Sequence, residues 1–170
     1  INFSRAYPFG DEAFEAAWLE ELELLEEILR TKDRDTLTTL TEQFLTLRAE
    51  RRQAAGLSSK LIAFEQQREW VEGLARYTEL LIWQAAYEAG YTCSGAATQL
   101  SDFDCYGNFE KRLKSELMQF PLMADTEGDS RFYYSGMAQA YILDALLPGW
   151  KNLIFDEGVW LEDLLQMAIK

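Results

Sequence analysis

Residues 59–89 read SKLIAFEQQREWVEGLARYTELLIWQAAYEA, and this stretch decides the fold class. It contains no proline, and residues with good helix propensity fill most of it. The pattern predicts one long helix from about Ser59 to Ala89, because Gly90 follows as a typical C-terminal stop. A helix of this length must pack against other helices, so the search for its partners extends in both directions along the chain.

Apolar residues recur at helical spacing on both sides of this stretch. Further helices are predicted from about Asp11 to residue 30, from an N-cap at Asp35 to about Ala54, from about Asp102 to Phe120, from Arg131 to Leu147 with Ser130 as the cap, and as one or two short helices in residues 150–170. No alternating strand pattern competes strongly with them. The sequence therefore predicts an all-α fold in which residues 1–170 form a single domain of about six helices.

Composition excludes several classes of function. The chain has 170 residues, a formal charge of -13 and no histidine. A Ser-His-Asp triad, a Cys-His dyad, a His-ligated zinc site and a Glu-x-x-His di-iron bundle cannot be built from this chain alone. The acidic excess argues against a nucleic-acid partner, because phosphate groups bind Lys and Arg. No apolar run reaches the length of a membrane span, so we expect a soluble chain.

Two cysteines, Cys93 and Cys105, lie twelve positions apart. A disulfide that closes a small loop would favour an oxidising compartment, which means secretion or the periplasm. Two unrelated small apolar residues fit the same spacing.

The first long helix is strongly acidic, with ten acidic and three basic residues between Asp11 and Asp35. A solvated face that keeps the protein soluble explains this charge, and so does a binding surface.

A stripe of charged residues runs along the 59–89 helix, formed by Glu65, Glu69, Glu72, Arg76 and Glu79. The apolar face is predicted on the other side, formed by Leu61, Val71, Leu74, Thr78, Leu81 and Ala85. Two interpretations of the stripe remain open. It is either a solvent-exposed face with an ion pair between Glu72 and Arg76, or a line of carboxylates that faces a cleft.

The sequence of residues 70–79, WVEGLARYTE, resembles the E-G-[FL]-A-x-Y-x-E helix of gluzincin metallopeptidases, the aminopeptidase-N-like and related families. A mid-helix glycine costs about 1 kcal/mol relative to alanine, which indicates that another element packs closely at Gly73. Segments 44–48, 134–138 and 143–151 are also similar to the region that follows H-E-x-x-H in some predicted bacterial peptidases of this group.

The resemblance implies a zinc-dependent hydrolase of peptides. Glu72 would be the third zinc ligand, and the first two would be the histidines of an upstream H-E-x-x-H helix that this chain lacks. Glu69, Arg76 and Glu79 would orient Glu72. A tyrosine of the fifth helix would stabilise the oxyanion; the candidates are Tyr133, Tyr134 and Tyr141, with Tyr134 preferred.

The missing motif leads us to expect that the chain is the C-terminal portion of a longer protein and is inactive alone. Residues 49–53 (AERRQ) stand where H-E-x-x-H is usually found, and we interpret them as part of an arginine-rich helix.

A non-catalytic helical domain that binds a partner through an acidic face or an apolar groove is the alternative. It predicts that Glu72 points to solvent or pairs with Arg76, without a conspicuous cleft beside it.

Overall fold

The computed structural model describes residues 3–101, 105–126 and 128–170, and in these ranges it contains helices, turns and loops but no strand. The all-α prediction is confirmed. Helices of eight residues or more in the described ranges are α1 (Glu12–Arg30), α2 (Arg34–Ala54), α3 (59–88), α4 (Phe109–Leu117), α5 (Ser130–Leu146) and α6 (Leu161–Ala168). Shorter helical turns occur at Phe3–Ala6, Ala97–Gln99, Pro121–Met123 and Trp150–Asn152.

Side-chain caps determine where three of these helices begin. The carboxylate of Asp11 accepts a hydrogen bond of 2.8 Å from the backbone N–H of Phe14, as predicted. The cap of α2 is Asp33, which accepts from the N–H of Thr36, so the prediction of Asp35 as the cap is wrong. Asp35 lies in the first turn instead.

Helix α4 is shorter than predicted. Its N-cap is Asn108, whose side-chain oxygen accepts from the N–H of Lys111 at 2.9 Å. The predicted start at Asp102 lies outside the described residues, but 105–108 are described and are not helical. At α5, Ser130 is the first helical residue and Asp129 occupies the cap position.

Helix α3 is continuous but not uniform. A π-helical turn, Glu69–Gly73, separates an α-helical first part, Ser59–Arg68, from a second part, Leu74–Glu88. The wider turn changes the phase of the helix, so residues on either side of it do not keep one regular face. The predicted apolar face is correct only in part. Leu61, Leu74 and Leu81 pack against the core, whereas Val71, Thr78 and Ala85 are exposed. The buried residues are Phe64, Glu65, Glu69, Gly73, Tyr77, Leu80 and Trp83.

The π turn packs directly on α5 through two glycines. A Cβ atom added to Gly73 would lie 2.6 Å from the carbonyl carbon of Gly136 and 2.8 Å from the nitrogen of Met137. A Cβ added to Gly136 would lie 2.9 Å from the Cα of Gly73 and closer still to the carbonyl oxygen of Glu69. The close neighbour expected at Gly73 is therefore α5 of this chain, and it accounts for the glycine without another helix.

Helix α5 lies at the centre of the fold and contacts α1, α2, α3 and α6. The core around it includes Trp18, Phe44, Phe132 and Leu143, which are fully buried. No helix in the described ranges is long and apolar enough to cross a membrane.

Candidate functional site

Three arginines of α2 point into the interior of the protein. Arg48, Arg51 and Arg52 are spaced i, i+3 and i+4, which places them on one face of the helix. Arg48 and Arg51 are buried, and the side chain of Arg52 is about one-tenth exposed. Buried arginines require acceptors for their N–H groups, and here those acceptors come from three other parts of the fold.

Four glutamates surround these arginines: Glu21 from α1, Glu65 and Glu69 from α3, and Glu162 from α6. For each glutamate, the shortest contact with an arginine is as follows: Glu69 to Arg48 Nη2 at 2.6 Å, Glu21 to Arg51 Nε at 2.5 Å, Glu65 to Arg52 Nε at 2.6 Å and Glu162 to Arg52 Nη2 at 2.9 Å. We call these seven residues the buried ion network. It ties α1, α2, α3 and α6 together at one point.

The four carboxylates of the network exceed its three guanidiniums by one formal negative charge. Neutral donors supply further hydrogen bonds to these carboxylates. The hydroxyl of Tyr7 donates to Glu65 at 2.5 Å, that of Ser135 donates to Glu69 at 2.6 Å, and the amide of Gln66 donates to Glu162 at 2.6 Å. Each donor satisfies carboxylate lone pairs that the guanidiniums leave over.

The network keeps Glu65 and Arg48 charged despite their burial. Burial disfavours the ionised form of Glu65, but the Arg51 and Arg52 guanidiniums outweigh it and lower the pKa of this carboxyl to about 2. Burial also opposes the charge of Arg48, yet the carboxylates of Glu69 and Glu21 raise its pKa well above the ordinary value. The charges of Glu65 and Arg48 are therefore permanent near neutral pH.

Aromatic rings lie close to the guanidiniums of Arg48 and Arg51. The guanidinium carbon of Arg51 lies 4.1 Å from the ring centre of Trp18, and that of Arg48 lies 4.5 Å from the ring centre of Phe44. Cation–π contacts of this kind strengthen when water is excluded. The indole N–H of Trp18 donates to Tyr7 at 2.9 Å, so this ring is itself hydrogen-bonded to the network.

Glu72 lies outside the network, near the surface. Its side chain is 19% exposed, and its carboxylate lies 3.6 Å from the guanidinium of Arg68. Arg68 also contacts Asp129 at 3.4 Å. A hydrogen bond to Glu72, with a small contribution from burial, raises the pKa of the Tyr133 hydroxyl.

The other predicted site residues are dispersed. Glu69 belongs to the buried ion network and faces away from solvent. Arg76 pairs with Glu79 at 2.5 Å and with Glu116 at 2.6 Å, and not with Glu72 as one interpretation of the stripe predicted. Glu79 is 48% exposed.

Tyr134 was preferred over Tyr133 as the tyrosine of the site. Its ring packs on Phe120 with centroids 5.3 Å apart, and burial followed by the nearby charge of Glu116 raises the pKa of its hydroxyl. Tyr133 is the neighbour of Glu72.

Cys93 and Cys105 form a disulfide with a Cα–Cα distance of 6.0 Å. It closes the connection between α3 and α4, where the ring of Tyr106 lies against those of Trp83 and Tyr91. Of the two interpretations of the cysteine pair, the structure shows the disulfide.

Zinc fits this chain at most in part. Among the described residues, no group of three or more His, Cys, Asp or Glu side chains is placed to hold a metal ion. Of the glutamates in the predicted stripe, Glu65 and Glu69 already bind guanidiniums in the interior, whereas Glu72 lies near the surface.

Comparisons with protein-family models, curated proteins and solved structures gave no match. The functional reasoning therefore depends on the residues described above.

Sequence reasoning missed most of the buried ion network. It found Glu65 and Glu69 as parts of a stripe, and it identified residues 49–53 only as part of an arginine-rich helix. A signal was present, because three arginines on one face of α2 share that face with Phe44. Cations on the apolar face of a helix predict buried carboxylate partners.

Proposed function

We propose that this chain is the helical portion of a zinc-dependent peptidase, with Glu72 as the third metal ligand and two imidazole ligands supplied from outside these 170 residues. The observation that supports this proposal is the distinct position of Glu72 in the charged stripe. Glu65 and Glu69 are held in the interior by guanidiniums at 2.6–2.8 Å, whereas the carboxylate of Glu72 lies near the surface with its ion pair to Arg68 at 3.6 Å.

Residues of this chain would prepare Glu72 for that role. The hydroxyl of Tyr133 interacts with the carboxylate of Glu72 and would help to orient it, as supporting residues do at metal sites. Burial of the adjacent Glu69 in the ion network holds this part of α3 in place. A zinc ion bound there would lower the pKa of its water to about 7 and so provide a nucleophile for peptide hydrolysis. The chain alone is expected to be inactive, since it has no histidine.

Zinc content tests the proposal. The protein is expressed with the sequence that its gene encodes on either side of this chain, and zinc per chain is measured by mass spectrometry for the wild type, for Glu72→Ala and for Glu50→Ala. Glu50 is an exposed glutamate of α2 and serves as the matched control. We expect zinc in the wild type and in Glu50→Ala, and its loss in Glu72→Ala. A wild type without zinc, or equal zinc in both variants, would contradict the proposal.

A non-catalytic binding domain is the second candidate, and an exposed aromatic surface favours it. Phe155 is 73% exposed and packs edge-on against Trp70, with ring centroids 6.0 Å apart. Val71 is exposed beside Trp70 in α3. Apolar side chains grouped at a surface often mark a contact with another protein. Absence of zinc from the longer protein is the result that this candidate predicts.

The disulfide supports an oxidising location, which is the periplasm or the exterior if the protein is bacterial. Alkylation of free thiols in protein taken directly from its native source tests this, because Cys93 and Cys105 react only if they are reduced.

A further inference from the structure

An apolar groove lies where α1 meets the turn between α4 and α5. Its volume is about 270 Å³, and the residues that line it are Glu15, Ala16, Leu19, Pro121, Leu122, Ala124 and Asp125. Leu122 is 59% exposed. We call this feature the α1 groove.

Acidic residues continue the face of α1 on both sides of the α1 groove. Ala16 and Leu19 share one face of the helix, and Glu12 and Glu23 are the residues four positions before and after them. Glu20 lies four positions after Ala16, and all three glutamates are exposed. In the described part of the chain these three glutamates form no ion pair, unlike Glu26 of the same helix, which pairs with Arg30.

We propose that the α1 groove binds a basic amphipathic helix of a partner protein. Apolar side chains of that helix would cover Leu19 and Leu122, and its Lys or Arg residues would pair with Glu12, Glu20 and Glu23. Charge complementarity selects this occupant. A second copy of this chain would bring the same acidic excess of 13 charges to the contact and would be repelled.

Of the two interpretations of the acidic first helix, the binding surface is thereby placed at the α1 groove. The whole exposed face of α1 serves solubility, but the part beside the α1 groove combines unpaired carboxylates with accessible apolar surface. Neither feature alone would indicate a partner. Their combination does, because a basic amphipathic helix needs both.

Two synthetic helical peptides of leucine and lysine, with the same composition, test the proposal by fluorescence anisotropy. In the first the leucines form one face, and in the second they are spread around the helix. We expect the first to bind about tenfold more tightly, since burial of one leucine-sized contact is worth a factor of that order. Equal binding of the two peptides would show attraction by charge alone and would overturn the proposal.

Protein variants locate the contact. Leu122→Asp is expected to abolish the difference between the peptides, whereas Leu100→Asp, at a leucine that is 57% exposed elsewhere, leaves it unchanged. Glu20→Lys with Glu23→Lys is expected to weaken binding of the amphipathic peptide more than Glu42→Lys with Glu50→Lys, a control pair on α2 with the same change of charge. Equal effects within either pair would contradict the proposed location, and circular dichroism confirms that each variant is folded.

Discussion

Replacement of Glu69 by glutamine is expected to destabilise the protein by about 3 kcal/mol, since loss of one partner from a buried ion pair costs about 3–5 kcal/mol. The carboxylate of Glu69 accepts hydrogen bonds from Arg48 at 2.6 and 2.8 Å and from Ser135 at 2.6 Å. Glutamine keeps the shape, but it removes the charge and turns an N–H₂ group toward the guanidinium of Arg48. The lower end of the range applies because Arg48 retains Glu21 at 3.1 Å and Glu162 at 3.4 Å.

Glu79→Gln is the matched control for this experiment. Glu79 is in the same helix and also pairs with an arginine, Arg76, at 2.5 Å, but its side chain is 48% exposed. An exposed pair contributes about 0–1 kcal/mol, so the control is expected to lose little stability. Urea unfolding followed by circular dichroism gives the free energy of unfolding of both variants. Equal losses in the two variants, or a loss of less than about 1 kcal/mol for Glu69→Gln, would refute the reasoning that Arg48 and Glu69 form a buried ion pair.

Three further results are expected. Glu65 has a pKa of about 2 in the folded protein, well below the unfolded value. Its ionised form therefore contributes about 3 kcal/mol to the free energy of unfolding, fully above pH 5 and less and less as the pH falls toward 2. Urea unfolding at several pH values measures this contribution. Gly136→Ala places a methyl group against the backbone of α3 and is expected to cost about 1–3 kcal/mol or more, whereas Gly95→Ala, with nothing within 4 Å of the added carbon, costs much less in the same assay. Replacement of Cys93 and Cys105 by serine is expected to lower the free energy of unfolding by up to about 3 kcal/mol, because the loop between them is no longer closed in the unfolded chain. An unchanged free energy of unfolding would contradict a stabilising disulfide.

The helices were predictable because their signals are local. Asp11 caps α1, and Gly90 follows the end of α3, as the sequence indicated. The exception at α2 is instructive. Asp33 and Asp35 are both suitable caps, and which one binds the free N–H groups depends on where the preceding turn ends, which the local sequence does not specify.

The buried ion network was not predictable in the same way. Arg48 and Glu162 are 114 positions apart, and their contact exists only after α2 and α6 have packed together. Periodicity can show that glutamates form a stripe on a helix. Whether that stripe faces water or guanidiniums depends on which element packs against it. For Glu65 and Glu69 that partner is an arginine-rich face, so neither of the two interpretations considered for the stripe describes them.

The surroundings of Glu72 were predictable only in part. The sequence singled out this residue, and the structure places it apart from the interior glutamates and near the surface. The choice between Tyr133 and Tyr134 depends on the rotation of α5 relative to α3, which is set by the contact of Gly73 with Gly136. No spacing within one helix contains that information.

The π turn at Glu69–Gly73 has a consequence for how this protein can change over evolution. Residues before it are phased to meet the arginines of α2, and residues after it, such as Tyr77, are phased to meet Asp144 of α5. Deleting one residue within the turn would rotate everything after it by about 100° relative to everything before it. Homologous sequences that keep both sets of contacts are therefore expected to preserve the number of residues between Glu65 and Tyr77 even where the residues themselves differ.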